Sequence, residues 1–186
     1  MSFGRRRWRA ARQAHHDAIY ALARVALAIP EDRWLAPGVD GKWSPAQETL
    51  HVARAYEVAI DEIETGVRMR PRVKPWRARM LRWFYLPQVL LTGRFPRVAA
   101  PVEMRPNEIE VEFFGPSLLV ERVCERAMAC EEALERVDEL RRGLRLSHPF
   151  FGPLRPLAAL RLLTVHTAHH ARQLQREAVA GRPTVA

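Results

Sequence analysis

Between Leu157 and Val179 the chain runs for 23 residues without a glycine or a proline. Its apolar residues recur at helical spacing, which predicts one long helix. Within it lies Thr164-Val165-His166-Thr167-Ala168-His169-His170-Ala171-Arg172-Gln173. At about 100° per residue, His166 and His170 stand about 40° apart on one face that Gln173 shares, and His169 points about 60° to the other side. Two imidazoles one turn apart can place ring nitrogens on one metal ion, because side chains at i and i+4 cover the same spot. Two ligands do not complete a site, so another helix must contribute. His51 is the best-placed candidate.

The rest of the chain favours an all-helical class. Glycine is scarce, several long segments lack both Gly and Pro, and 186 residues at 48% apolar content are enough for one domain with a hydrophobic core. The net charge of +9 is local: nine basic and no acidic residues lie between Gly66 and Arg97, while eleven acids face four arginines between Glu103 and Glu139. With no helix-turn-helix signature, that distribution argues against a specific nucleic-acid partner. There is no GxSxG, P-loop or Rossmann fingerprint, which disfavours covalent serine chemistry and nucleotide hydrolysis. Cys124 and Cys130, six apart on one predicted helix, cannot bond to each other there and read as buried small hydrophobes. The arginine-rich start is followed by no apolar signal region, and no uncharged apolar run is long enough to span a bilayer. The expected location is the cytoplasm.

Helix one is expected over Arg9 to Ile29, ended by Pro30, with His15 and His16 at the solvent or a pocket rim. A loop with turns at Pro37-Gly38 and Asp40-Gly41 leads to Trp43-Ser44-Pro45-Ala46-Gln47-Glu48. Ser44 suits an N-cap, Pro45 the first helical position and Gln47 the return arm of a capping box, so helix two starts at Pro45 and runs to about Thr65. His51 falls in its second turn. Glu48, one turn earlier, is placed to reach His51 or to be solvated. Gly66 to Pro101 is an irregular, basic, aromatic insertion (Trp76, Trp83, Phe84, Tyr85), read as packing its aromatics over an open end of the core; an amphipathic element on an anionic membrane surface is the alternative. Pro101 to Pro116 reads as loop, although Ile109 to Phe113 alternates like a strand. Helix three follows from Ser117 to Arg142. His148-Pro149-Phe150-Phe151-Gly152, in which His148 reads as a loop or capping residue, turns the chain into helix four, and the tail after Ala180 frays.

On residue types alone the histidines stay divided between metal ligands and ordinary packed or surface positions. Three patches add a resemblance. Trp43 to His51 resembles the start of the second helix in the DinB-like superfamily, His166 to Gln173 is similar to its last-helix signature, and His148 to Gly152 resembles its lead-in. The resemblance implies a single four-helix bundle domain over residues 1–186, of up-down-down-up topology and often dimeric; the 66–101 insertion, longer than typical, is where this chain departs from the family. The resemblance also implies that His51, His166 and His170 are the triad that holds a divalent ion; imidazole ligands suit Zn, Ni, Fe or Mn, and helical position makes Gln173 and His169 further pocket residues. The expected activity is activation of water or of a thiol, hence a hydrolase or a transferase using a low-molecular-weight thiol, acting on a small-molecule substrate. The competing expectation is a non-catalytic interaction protein whose Arg/aromatic insertion binds a partner or an anionic membrane surface.

Overall fold

The structure, a computed structural model, describes residues 3–38, 42–95, 100–140 and 143–180. The expected Asp40-Gly41 turn, the end of helix three at Arg142 and the tail after Ala180 lie outside them. The described chain is all-helical: α1 (Phe3–Ala26), α2 (Glu31–Trp34), α3 (Pro45–Thr65), α4 (Pro75–Met80), a π-helical turn (Leu81–Tyr85), α5 (Leu86–Thr92), a 3-10 turn (Val102–Met104), α6 (Glu108–Glu112), α7 (Pro116–Leu140) and α8 (Pro156–Ala180). Among these residues no β-strand occurs, only one isolated antiparallel bridge, Leu146 with Leu154.

Local chemistry accounts for the boundaries. Ser44 Oγ accepts from Gln47 N (3.2 Å) while Gln47 Oε1 accepts from Ser44 N (2.9 Å), the reciprocal pair that starts α3 at Pro45. Gly66, with φ of 76°, closes α3 in the left-handed conformation that glycine adopts without strain. Helix α1 begins at Phe3 rather than Arg9, because its buried stripe continues through Ala11 to Trp8, whose indole N–H donates to Asp138 (2.8 Å). The strand-like alternation at 109–113 yields a helix instead: Asn107 Oδ1 caps Ile109 N (3.1 Å), and Glu110 is gripped by Arg54 and Arg122.

Helix α1 lies along α8 and α3 along α7, with α3 also meeting α8. Leu22, Leu50, Leu119, Leu134, Leu160 and Leu174 are fully buried between them. A polar column crosses this core. Glu131 on α7 accepts from Arg12 Nε (2.8 Å) and meets His15 Nδ1 (2.8 Å); His15 Nε2 meets the Tyr56 hydroxyl (3.0 Å), which meets Thr167 Oγ1 (2.6 Å). His15 is thus fully buried, not at a rim, because Glu131 and Tyr56 saturate both its nitrogens; His16, partly buried, sits 3.2 Å from Glu131.

The insertion departs most from expectation. Its centre is continuously helical from Pro75 to Thr92, and Pro87 is accommodated by the widened π turn before it, which avoids the clash of a proline ring with the carbonyl four residues back. Ala78, Leu86 and Val89 face inward, whereas Trp76, Trp83 and Phe84 are more than 60% exposed. These three aromatics therefore do not close the core; Ala78, Leu86 and Val89 hold the element to the body, while Tyr85 lines the cleft.

Candidate metal centre

Two helices deliver the three histidines. The capping box sets the register of α3 and so aims His51 inward; α8 carries His166 and His170 one turn apart on the facing side. His51 Nε2 and His166 Nε2 stand 3.1 Å apart, and His166 Nε2 and His170 Nε2 3.2 Å apart. Nitrogens about 2.1 Å from one ion stand about 3.0 to 3.4 Å from each other, so this spacing fits a shared ion. His51 and His170 are buried and His166 partly so.

The outer nitrogens decide which way the lone pairs point. His51 Nδ1 faces the Met104 carbonyl oxygen (2.8 Å), which can only accept, so the proton sits on Nδ1 and Nε2 is bare. His170 Nδ1 faces the Glu48 carboxylate, which as an anion has the same effect. Two lone pairs thus converge on His166 Nε2, whose own Nδ1 is buried with no hydrogen-bond partner among the described residues. One proton on His166 cannot relieve all three nitrogens. A cation at their meeting point would, and the donor set of three neutral imidazoles suits zinc, nickel, iron or manganese.

Electrostatics agree with that donor set. Burial pushes the pKa of His51 down against the opposing pull of Met104 and Glu48. Burial, then the neighbouring histidines, holds His166 and His170 far below the ordinary range, so the rings stay neutral and able to ligate. Burial raises Glu48 to about 7, chiefly because its carboxylate is taken out of water.

Sequence reasoning aimed Glu48 at His51 or at solvent; it is buried and holds His170 instead. The Met104 carbonyl was not foreseeable, since a backbone acceptor in an irregular stretch leaves no trace in residue types. Nor were the rings that pack the site, Trp43 against His51 (centroids 4.9 Å) and Phe95 against His166 (5.5 Å). Gln173 lines the same cleft, and its carboxamide oxygen is buried without a partner among the described residues. His169 sits at the cleft edge, half-buried, 6.1 Å from Phe95 by centroid, outside the converging trio. His148 is a turn-former: its Nδ1 accepts from Phe150 N (3.2 Å) and Phe151 N (3.1 Å), and burial drops its pKa to about 4.

The cleft measures about 1080 Å³ and runs from the histidines along α3 to Glu62 and under the insertion, past Leu81, Tyr85 and Met69. Its two described acids are both engaged, Glu48 by His170 and Glu62 by Ser147 N (2.8 Å) and Oγ (2.7 Å). Neither cysteine lines it; both are free, and burial pushes the Cys130 thiol up to about 12. A second grouping, His15, His16 and Glu131, has ligand-like spacing, but Arg12 already supplies the cation that Glu131 faces. No described helix is long and apolar enough to cross a membrane.

An all-helical chain that brings three histidines from two helices into ligating distance defines a class: a helical protein with a candidate three-histidine metal centre. A family model for the DinB superfamily matches residues 13–174, a span that contains all three histidines, Glu48 and Met104, and the chain belongs to that superfamily. No curated protein and no solved structure matched it.

Proposed function

We propose that the protein is a metal-dependent enzyme in which His51, His166 and His170 hold one divalent ion at the inner end of the cleft. The observation that carries this is the convergence of the three Nε2 atoms, two with their lone pairs fixed by acceptors behind them. When bound, the ion supplies Lewis acidity that makes a water or a thiol easier to deprotonate at neutral pH. The protein's own residues do the remaining work. Glu48 and the Met104 carbonyl hold the rings of His170 and His51 in place. Trp43 and Phe95 cover them and limit water.

Between hydrolysis and thiol transfer, the cleft favours an external thiol. Hydrolysis asks for a carboxylate free to take a proton from water, and both described acids in the cleft are engaged. A low-molecular-weight thiol arriving from solution needs less help, and neither Cys124, partly exposed, nor Cys130, buried, lines the cleft to compete for that part. The substrate is a small molecule that fits a largely apolar cleft. Topology supports the family arrangement: Trp8 meets Asp138 while Arg12 meets Glu131, so α1 and α7 run oppositely, and Glu48 meets His170 while Tyr56 meets Thr167, so α3 and α8 do too. With Arg33, just beyond α1, paired to Glu177 near the end of α8 (3.9 Å), the long helices read as an up-down-down-up bundle forming one domain over residues 1–186. By the same family likeness the chain works as a homodimer, and its two free cysteines fit a reducing cytoplasm.

Metal analysis of the purified protein tests the reading. About one equivalent of a divalent metal per chain is expected, lost in His166→Ala, together with metal-dependent consumption of a thiol such as bacillithiol, mycothiol or glutathione. A protein that retains no metal under replete conditions, or retains it unchanged in His166→Ala, overturns it.

A further inference from the structure

The helical element from Pro75 to Thr92 has two apolar faces. One packs inward through Ala78, Leu86 and Val89; the other is open, with Trp76 62%, Met80 52%, Trp83 71%, Phe84 70% and Leu91 88% exposed. Single exposed apolar side chains are ordinary. Five of them recurring at 76, 80, 83, 84 and 91 form a stripe along one side of an 18-residue element, which is not.

Charge frames the stripe. From Gly66 through Arg82 there are seven basic residues and no acid: Arg68, Arg70, Arg72, Lys74, Arg77, Arg79 and Arg82. At about 100° per residue, Arg77 and Arg79 fall on opposite flanks of the line through Trp76 and Met80. Arg82 points the other way and donates to the Phe151 (3.3 Å) and Pro153 (2.9 Å) carbonyls, clamping the element to the body with its apolar stripe outward.

We propose that this face docks the protein on an anionic lipid surface, with Trp76, Met80, Trp83, Phe84 and Leu91 entering the headgroup–acyl boundary and Lys74, Arg77 and Arg79 meeting lipid phosphates. Apolar side chains in mid-stripe with cations on the flanks match the two layers of such a surface, hydrocarbon beneath and phosphate above. A second copy of the chain is a poorer occupant, because a twofold contact would press the same positive charge against itself. A nucleic-acid strand would pair stacking rings with phosphate contacts but would leave Met80 and Leu91 without a role. The inner side of the same element lines the cleft through Leu81 and Tyr85, so docking would set the cleft beside the membrane. The inference does not depend on the histidines holding metal.

The test uses the full chain with vesicles of phosphatidylcholine alone and of phosphatidylcholine with about a third phosphatidylglycerol, read by co-sedimentation and by the tryptophan emission shift. Binding is expected only to the anionic vesicles, weakened about fivefold for each of Arg77 and Arg79 changed to Gln and about tenfold or more by high salt. Trp83→Ser/Phe84→Ser, and separately Leu91→Asp, should each lose about tenfold or more while keeping the helical circular-dichroism spectrum, since all three side chains are solvent-exposed. Equal binding to both vesicle types or undiminished binding of these variants overturns the proposal. So does failure to bind vesicles together with a dimer, or a single-stranded RNA complex, that depends on Trp83 and Phe84.

Discussion

Replacing Glu48 by Gln separates the two jobs of this carboxylate with opposite signs. The side chain is 8% exposed and meets His170 Nδ1. Glutamine keeps its size, and its carbonyl oxygen can still accept from the ring, so what is lost is the negative charge. In metal-free protein that charge is a burden: burial raises the pKa of Glu48 from 4.5 to about 7. A group whose folded pKa is raised contributes most stability below its unfolded pKa and loses it as pH rises through the folded value. Metal-free wild-type protein therefore weakens between about pH 4.5 and 7 on account of Glu48, by at most about 3 kcal/mol. Glu48→Gln should recover about 2 to 3 kcal/mol in urea denaturation at pH 8 after chelation. Metal binding should move the other way, because a carboxylate behind a ligating imidazole raises its basicity. A loss of about 10- to 100-fold in affinity is expected, or about 1.4 to 2.7 kcal/mol, measured by competition with a coloured chelator. The reasoning fails if the metal-free variant is no more stable than wild type at pH 8, or if its metal affinity stays within about twofold of wild type.

Tyr56→Phe removes the hydroxyl between His15 Nε2 (3.0 Å) and Thr167 Oγ1 (2.6 Å), leaving both buried groups short of a partner. A loss of about 2 to 3 kcal/mol in denaturant unfolding is expected, and a loss below about 0.5 kcal/mol would show that the column does not tie the helices. The pKa of His148 drops to about 4 through burial, so the unfolded chain takes up a proton first on acidification, and the stability this ring contributes is lost as pH falls from about 6.5 through 4. His148→Asn, which keeps an acceptor for the Phe150 and Phe151 amides, should flatten the acid limb of the stability profile by up to about 3 kcal/mol, checked by thermal melts from neutral pH to pH 4.

Much of the fold was legible because its signals are local. Ser44, Pro45 and Gln47 announce a helix start within four residues, and α3 begins there; the uninterrupted run after Pro156 likewise becomes α8. Where meaning depends on a distant partner, the sequence is silent. His15 reads as a surface residue until Glu131, 116 positions away, and Tyr56 close around it. The insertion reads as irregular, since residue patterns do not reveal that a wider turn can carry a helix past Pro87. The trio of histidines was approachable from spacing because two of them share a helical face. The groups that orient the trio, Glu48 on His170 and the Met104 carbonyl on His51, were set by tertiary approach and could not be assigned beforehand.

The chain of contacts from Glu131 through His15 and Tyr56 to Thr167 draws one side chain from each of the four long helices. An apolar interior tolerates slippage, because one leucine can stand in for the next when a helix slides by a turn of about 5.4 Å. This relay has no such degeneracy: a one-turn slide of any member strands its neighbours in a dry interior. It works like the notch on a key, admitting a single alignment, and Thr167 sits next to His166, so that same notch fixes where the histidine trio meets.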